Sequence, residues 1–293
     1  MGIKILNKTS KEITEQIREV EIICKTYDKI NGNMYLDTSL NFSPEMKSLF
    51  LFYKDNKLIS VLSIFMPTAA EAEISAYTLP EYRRKGYFKK LLIEATEELK
   101  KYKKADLLFV CEPQSMDGKE AIKKLNAELH FTEYFLRYKG SASYLEIQQF
   151  SKIKLQEAGL KDLEDIVLLG QQVFNYSYGD AKSMIQKPLE ADNRTQYIAI
   201  LDNRLIGMGA VSFESDEASI FGLGISPKYQ GKGLGKEFLN LILEDLKKKE
   251  IQNVSIEVDS SNKNAFNLYV KCGFEVETTY DYYRKRAASN IQT

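Results

Sequence analysis

Hydrophobic and polar positions alternate along KIKLQEA, Lys152 to Ala158, and predict a strand. Gly159 then opens LKDLEDIVLLGQQVF, in which the leucines and Ile166 recur at the spacing of one helical face. A polar stretch from Asp180 to Thr195 follows. QYIAILDNRLIGMGAVSF predicts a hairpin that turns at Asp202 and Asn203, and SIFGLGISP predicts the next strand, ended by Pro227. Leu234, Phe238, Leu241, Ile242 and Leu246 mark the buried stripe of a helix running toward Lys249. VSIEVD, Val254 to Asp259, reads as a further strand. Ser260, Ser261 and Asn262 are good cap formers for a helix that stops at Gly273, and a last strand lies within Glu275 to Lys285.

The first half of the chain repeats this order. LFLFYKDNKLISVLSIFMP predicts a hairpin turning at Asp55 and Asn56, EAEISAYTL a strand, and Phe88, Leu91, Leu92, Ala95 and Leu99 the apolar face of a helix. ADLLFVCEP is the next strand, and GKEAIKKLNAELHF corresponds to the late helix, with Phe131 set opposite Phe274. The repeat is clearest between TLPEYRRKGYFKKLL and ISPKYQGKGLGKEFL. Pro80 pairs with Pro227, Tyr82 with Tyr229, Arg83 with Gln230 and Gly86 with Gly233, at a constant offset of 227 − 80 = 147. A unit of that length is domain-sized, so the expectation is two copies of one fold, 1–145 and 146–293, with the boundary in the polar segment from Lys139 to Lys152. Strands and helices mix without the regular alternation of a fully parallel sheet, which makes each copy α+β with a mixed sheet.

Composition narrows the possible functions. Among 293 residues, 41 basic side chains balance 41 acidic ones, so charge does not favour nucleic acid as a partner. The opening MGIKILNKTSKEITEQ lacks the apolar core of a signal peptide, and no apolar run approaches the length of a membrane span, which points to a cytoplasmic protein without a membrane partner. Cys24, Cys111 and Cys272 have no metal-ligand spacing and read as reduced structural thiols. His130 is the only histidine and has no Cys or His close by. No metal is expected, and neither zinc hydrolysis nor Ser-His or Cys-His catalysis fits.

The segment QGKGLG, Gln230 to Gly235, lies between a strand and a helix, where successive backbone amides form an anion cradle and glycine lets a phosphate approach closely. An ordinary glycine-rich turn is the alternative on the glycines alone. GKGLGK does not supply G-x-G-x-x-G, since Lys236 stands at the third glycine. A P-loop fails too, with Gln230 at its first glycine and Glu237 where Ser or Thr holds magnesium. What fits is R/Q-x-x-G-x-G/A, met by Gln230, Gly233 and Gly235, followed by N-x-x-A-x-x-L-Y-x-x-x-G-F at Asn262, Ala265, Leu268, Tyr269, Gly273 and Phe274. On these two motifs the chain resembles the GCN5-related N-acetyltransferases, over most of its second half and more loosely over its first.

The resemblance implies a tandem acetyltransferase that moves an acetyl group from acetyl-CoA to a primary amine of a small molecule or peptide, by direct attack in a ternary complex. The loop of Gln230, Gly231, Lys232, Gly233, Leu234, Gly235 and Lys236 would hold the pyrophosphate. Leu223, Gly224 and Ile225 would pair their backbone with the pantetheine arm, Asn262 would contact that arm, and Tyr269 would protonate the departing thiolate. Glu257 is the candidate general base, with Glu217 and Asp259 as rivals. Core packing for Tyr269, helix capping for Asn262 and a solvated surface for the two lysines are the structural alternatives.

The first copy keeps Arg83 and Gly86 but carries Phe88 opposite Gly235, a bulk expected to crowd the loop. Lys119 stands near the expected Asn, and Asn126 replaces the Tyr when Phe131 is aligned with Phe274. The second half is therefore expected to be the catalyst and the first a degenerate copy. A catalytically silent acyl-CoA-binding module is the competing reading. The acceptor, the acyl-chain preference, cofactor binding by the first copy and the oligomeric state are left open by the sequence.

Overall fold

The structure, a computed structural model, describes residues 2–102, 105–140, 151–214 and 216–286. The boundary expected between 145 and 146 lies outside the described residues. In space the chain divides into two compact units, one formed by Met1–Glu133 with Thr278–Thr293 and the other by Tyr134–Glu277.

The first unit contains β1 (Gly2–Leu6), α1 (Lys11–Asp28), β2 (Leu49–Lys54), β3 (Lys57–Phe65), β4 (Glu71–Thr78), α2 (Tyr87–Leu99), β5 (Asp106–Cys111) and α3 (Met116–Lys124). Strand β6 (Glu128–Tyr138) begins there and ends in the second unit. The second unit adds β7 (Lys154–Glu157), α4 (Leu163–Phe174), α5 (Tyr178–Glu190), β8 (Arg194–Leu201), β9 (Arg204–Glu214), β10 (Glu217–Ile225), α6 (Leu234–Lys248), β11 (Asn253–Asp259) and α7 (Lys263–Lys271). Strand β12 (Phe274–Lys285) starts there and finishes in the first unit.

Each unit is an antiparallel run of four strands joined to a fifth by a parallel pair, β4 with β5 and β10 with β11. The hairpins turn where the sequence places them. Asp55 and Asn56 have φ of 50° and 60°, Asp202 and Asn203 of 48° and 60°, the left-handed pair that a two-residue hairpin needs and that Asp and Asn tolerate. Leu91, Ala95 and Leu99 bury one face of α2, while Leu234, Phe238, Leu241, Ile242 and Leu246 bury that of α6.

The sixth strand of each unit comes from the other repeat. Residues Asp281 to Lys285 of β12 pair antiparallel with β5, from Asp281 opposite Cys111 to Lys285 opposite Leu107. In the second unit β6 lies beside β11, and its Leu136 is fully buried in that unit's core.

Four elements differ from the sequence expectation. The N-terminal strand and helix, β1 and α1, were not foreseen, and the polar stretch after Asp180 begins inside a helix, α5. That helix starts at Tyr178, where Ser177 Oγ accepts a hydrogen bond from the Asp180 amide. The predicted helix through His130 and Phe131 stops at Lys124. Asn126 then takes φ of 55°, and both aromatic residues lie on β6, where Phe131 stacks on Tyr282 with ring centroids 4.3 Å apart.

This corrects the alignment of the repeats. The residue matching Gly273, which has φ of 94°, is Asn126 (273 − 126 = 147), so the counterpart of Tyr269 is Ile122 and that of Asn262 is Ser115 (262 − 115 = 147). Ser115 and Asn262 are indeed the N-caps of α3 and α7. A left-handed residue ending a helix is a stronger anchor for alignment than a shared phenylalanine, because few side chains adopt that conformation.

Candidate active site

The sheet of the second unit opens between β10 and β11. Their parallel pairing runs from Glu217 opposite Asn253 to Ile220 opposite Ile256, yet β10 continues to Ile225 and β11 to Asp259. On its other side β10 stays paired with β9, except for a bulge between Phe221 and Gly224. Gly222 sits there with φ of 58°. A bulge puts two residues opposite one, bends the strand and re-aims its backbone groups. Leu223, Gly224 and Ile225 therefore present a strand edge that β11 does not cover, able to pair with an extended ligand as an added strand would.

Two glycines outside the loop motif shape this opening: Gly224, already expected on the strand that meets the pantetheine arm, and Gly209, which the sequence reading did not name. A Cβ on Gly209 would stand 2.9 Å from Leu223 Cδ1. One on Gly224 would lie 2.3 Å from Val173 Cγ1, so glycine at that position lets α4 close against the bulged strand. A signal was present in the chain. The repeat offset is 146 at Ile74 and Ile220 but 147 at Thr78 and Ile225, the one extra residue being the bulge.

Beyond the opening, Pro227–Tyr229 form one 3₁₀ turn and the chain enters α6 through Gly231 and Gly233, with φ of 73° and 80°. These left-handed positions suit glycine. Gly233 is the N-cap of α6 and no side chain caps its first amides. Orphan amides at a helix start carry partial positive charge and suit an anion. Exposed Lys228, Lys232 and Lys236 surround them, and among the described residues none of the three forms an ion pair. Lys232 lies over the Tyr229 ring at 5.4 Å and donates to the Lys228 carbonyl at 3.3 Å. The Gln230 side-chain amide donates to the Ile225 carbonyl at 2.8 Å, which ties the loop to the end of the open strand. Glu237 is turned away onto Ser151 and the amides of Lys152 and Ile153. Leu234 packs in the core, and a Cβ on Gly235 would make only ordinary contacts, 3.7 Å to Ile225 and 3.8 Å to Leu268.

Tyr269, on α7, is 6% exposed and packs among Cys272 and Phe274. Burial, with a smaller contribution from Cys272, pushes its phenol up to about 12. The hydroxyl makes no hydrogen bond among the described residues. A phenol so placed keeps its proton at neutral pH and has a donor free for a ligand. Asn262 Oδ1 accepts from the Ala265 amide at 3.1 Å, so this residue caps α7 and holds its start beside the opening.

The candidate bases occupy different places. Glu257 lies exposed on β11 one residue past the last paired position. Asp259 accepts from the Ser261 amide at 2.7 Å and shapes the turn into α7, while Glu217 pairs with Arg137 at 3.4 Å. The three cysteines are free and buried, and burial raises each thiol to about 11, so they stay protonated at neutral pH. Among the described residues no cluster of His, Cys, Asp or Glu could hold a metal ion, and no helix is long and apolar enough to cross a membrane.

The acetyltransferase (GNAT) family matches this chain twice, over residues 14–121 and 163–274, and the chain belongs to that family. Its members are acyltransferases whose acetyl donor is acetyl-CoA. Among curated proteins, the [ribosomal protein bS18]-alanine N-acetyltransferase of Haemophilus influenzae is 41% identical over 87 residues, 29% of this chain and 59% of that protein. The Escherichia coli K12 enzyme of the same name is 36% identical over 63 residues, 22% of this chain and 43% of the relative. The chain thus spans about half the length of these relatives. Among solved structures, a GCN5-related N-acetyltransferase from Sphaerobacter thermophilus superposes with a TM-score of 0.77 at 12% identity, covering 99% of this chain and 98% of that one. A tandem GNAT protein from the clavulanic acid biosynthesis pathway does so with 0.69 at 13% identity, over 99% of both chains. At these identities the likeness is one of fold.

Proposed function

We propose that the second repeat transfers an acetyl group from acetyl-CoA to a primary amine by direct attack in a ternary complex. The observation that carries this reading is the open strand edge at Leu223 to Ile225, next to an uncapped helix start ringed by lysines that form no ion pair among the described residues. The loop from Gln230 to Lys236 holds the pyrophosphate, and the open edge pairs with the pantetheine arm. A backbone amide of that edge polarises the thioester carbonyl. The amine nitrogen attacks the carbonyl carbon, its proton passing to Glu257 directly or through water. As the tetrahedral intermediate collapses the C–S bond breaks, and the sulfur takes the proton of Tyr269. Burial keeps this phenol protonated at neutral pH, so it stands as a donor when the thiolate develops. An ordinary thiol, with a pKa of about 8.5, is the stronger acid, so the transfer runs uphill and is completed as a solvent proton returns to the phenolate. Asn262 holds the start of α7 and contacts the arm.

The names of the curated relatives favour a peptide α-amine as the acceptor to try first. The test is CoA release from acetyl-CoA over a panel of N-terminal peptides and small amines. At least one acceptor should turn over, and Tyr269→Phe should lower kcat on the order of 100-fold with little change in KM for acetyl-CoA. Tight CoA binding without turnover of any amine would instead favour a silent acyl-CoA-binding module.

A further inference from the structure

We infer that the first repeat is closed to CoA by its own side chains, so that one chain takes up one CoA and not two; this rests on the second repeat being the CoA site. The backbone of the first loop offers no obstacle. Gly86 is the N-cap of α2 with φ of 84° and ψ of 4°, against 80° and −6° for Gly233. Arg83 and Gln230 share φ near −66° and ψ near 161°. Arg84 even adopts the left-handed conformation of Gly231. Phe88 has not deformed the loop, so the crowding expected from its bulk does not occur there.

One difference lies in the two arginines. Arg83 Nε donates to the Thr78 carbonyl at 3.0 Å, the same brace that Gln230 makes to Ile225. Its two terminal nitrogens then donate to both oxygens of Asp28, at 2.7 and 2.6 Å, and one also reaches Asp117 at 3.0 Å. Arg84 donates to the other oxygen of Asp117 at 3.0 Å and lies 3.7 Å from Glu120. The two arginines hold the Asp117 carboxyl below the usual carboxylate range. Lys85 and Lys89, the counterparts of Lys232 and Lys236, are exposed and without an ion pair among the described residues, so the contrast is confined to three places. A pyrophosphate arriving at this loop meets two arginines already neutralised, like-charge repulsion from Asp28 and Asp117, and Glu81 where the second repeat has Lys228.

The gap beyond the β4–β5 pairing is bridged by side chains as well. The β4–β5 pairing ends at Ile74 opposite Phe109, but β4 stays in regular register with β3 to Thr78 without a bulge. Where the second repeat has Gly224, the first has Tyr77, whose hydroxyl donates to the Gly32 carbonyl at 3.0 Å. Just past β5, buried Glu112 accepts from the amides of Asn31 and Gly32 and from Thr278 Oγ1 at 2.7 Å. The segments past the end of the pairing are thus tied to each other and to β12.

Calorimetric titration of CoA into three full-length proteins tests this. The wild type should bind one equivalent. Lys232→Glu/Lys236→Glu should weaken that site at least tenfold, and Arg84→Glu/Lys85→Glu should leave both affinity and stoichiometry unchanged. All four positions are exposed, so folding is not at stake. Two equivalents in the wild type, or an affinity that falls with the first-repeat pair instead of the second, would overturn the inference while leaving the second repeat's role open. No binding at all would overturn the reading on which it rests.

Discussion

The two loops at Arg83–Gly86 and Gln230–Gly233 share a backbone and differ in what surrounds it. Each has a 3₁₀ turn, a left-handed N-cap glycine and a side chain bracing the preceding strand. In one, Arg83 and Arg84 are paired with Asp28, Asp117 and Glu120, while Lys85 and Lys89 have no carboxylate partner among the described residues. In the other, the lysines have no carboxylate partner among the described residues, and the strand ahead bulges away from its neighbour. A shared backbone between the repeats therefore records common geometry, while the partners of the two arginines and one inserted residue set the copies apart.

The largest effect separating the two should come from the bracing residues. Arg83 and Asp28 are 14% and 11% exposed, and Arg83→Ala leaves a nearly buried carboxylate unpaired, at a cost of about 3–5 kcal/mol in urea unfolding. Gln230→Ala removes one neutral hydrogen bond and should cost about 1 kcal/mol while weakening CoA binding. Equal costs would break the comparison. Next come the strand positions. Gly224→Ala forces α4 or β10 to shift and should cost about 1–3 kcal/mol together with activity, whereas Tyr77→Phe should cost about 1 kcal/mol and leave kcat as it was.

Alkaline titration sharpens the picture across both repeats. Cys24 and Cys111 in one unit, and Cys272 in the other, have thiols raised by burial from 9.0 to about 11. A folded pKa above the unfolded one gives stability that is complete below pH 9 and is lost as pH rises through about 11. The urea midpoint should fall across that window. Cys272→Ala should reduce the fall, and a midpoint flat from pH 9 to 11 would contradict the burial.

Much of this was legible in the chain. Periodicity placed the hairpins and the helices after the loops, and the spacing of Gln230, Gly233, Gly235, Asn262 and Tyr269 pointed to the family. What was missed depends on distant partners or on comparison. Asp28 and Asp117 lie 55 and 34 residues from Arg83, so local pattern does not reveal the neutralised arginine. The bulge at Gly222 is invisible within one strand and emerges only when the repeat offset changes from 146 to 147. Helix α5 is amphipathic but largely polar, and its start depends on a single serine cap. Phe131 misled because aromatic identity was weighed above the backbone signal at Asn126.

The exchange of closing strands has a consequence for synthesis. The partner of Cys111 in β5 is Asp281, which leaves the ribosome 281 − 111 = 170 residues later. For most of translation the unit that emerges first carries an unpaired strand edge, the kind of surface that invites aggregation. The earlier-made half is thus the later one to finish folding. A gene divided at the repeat boundary would yield two fragments, each missing the strand that completes its sheet, and co-expressing them would be the way to restore both.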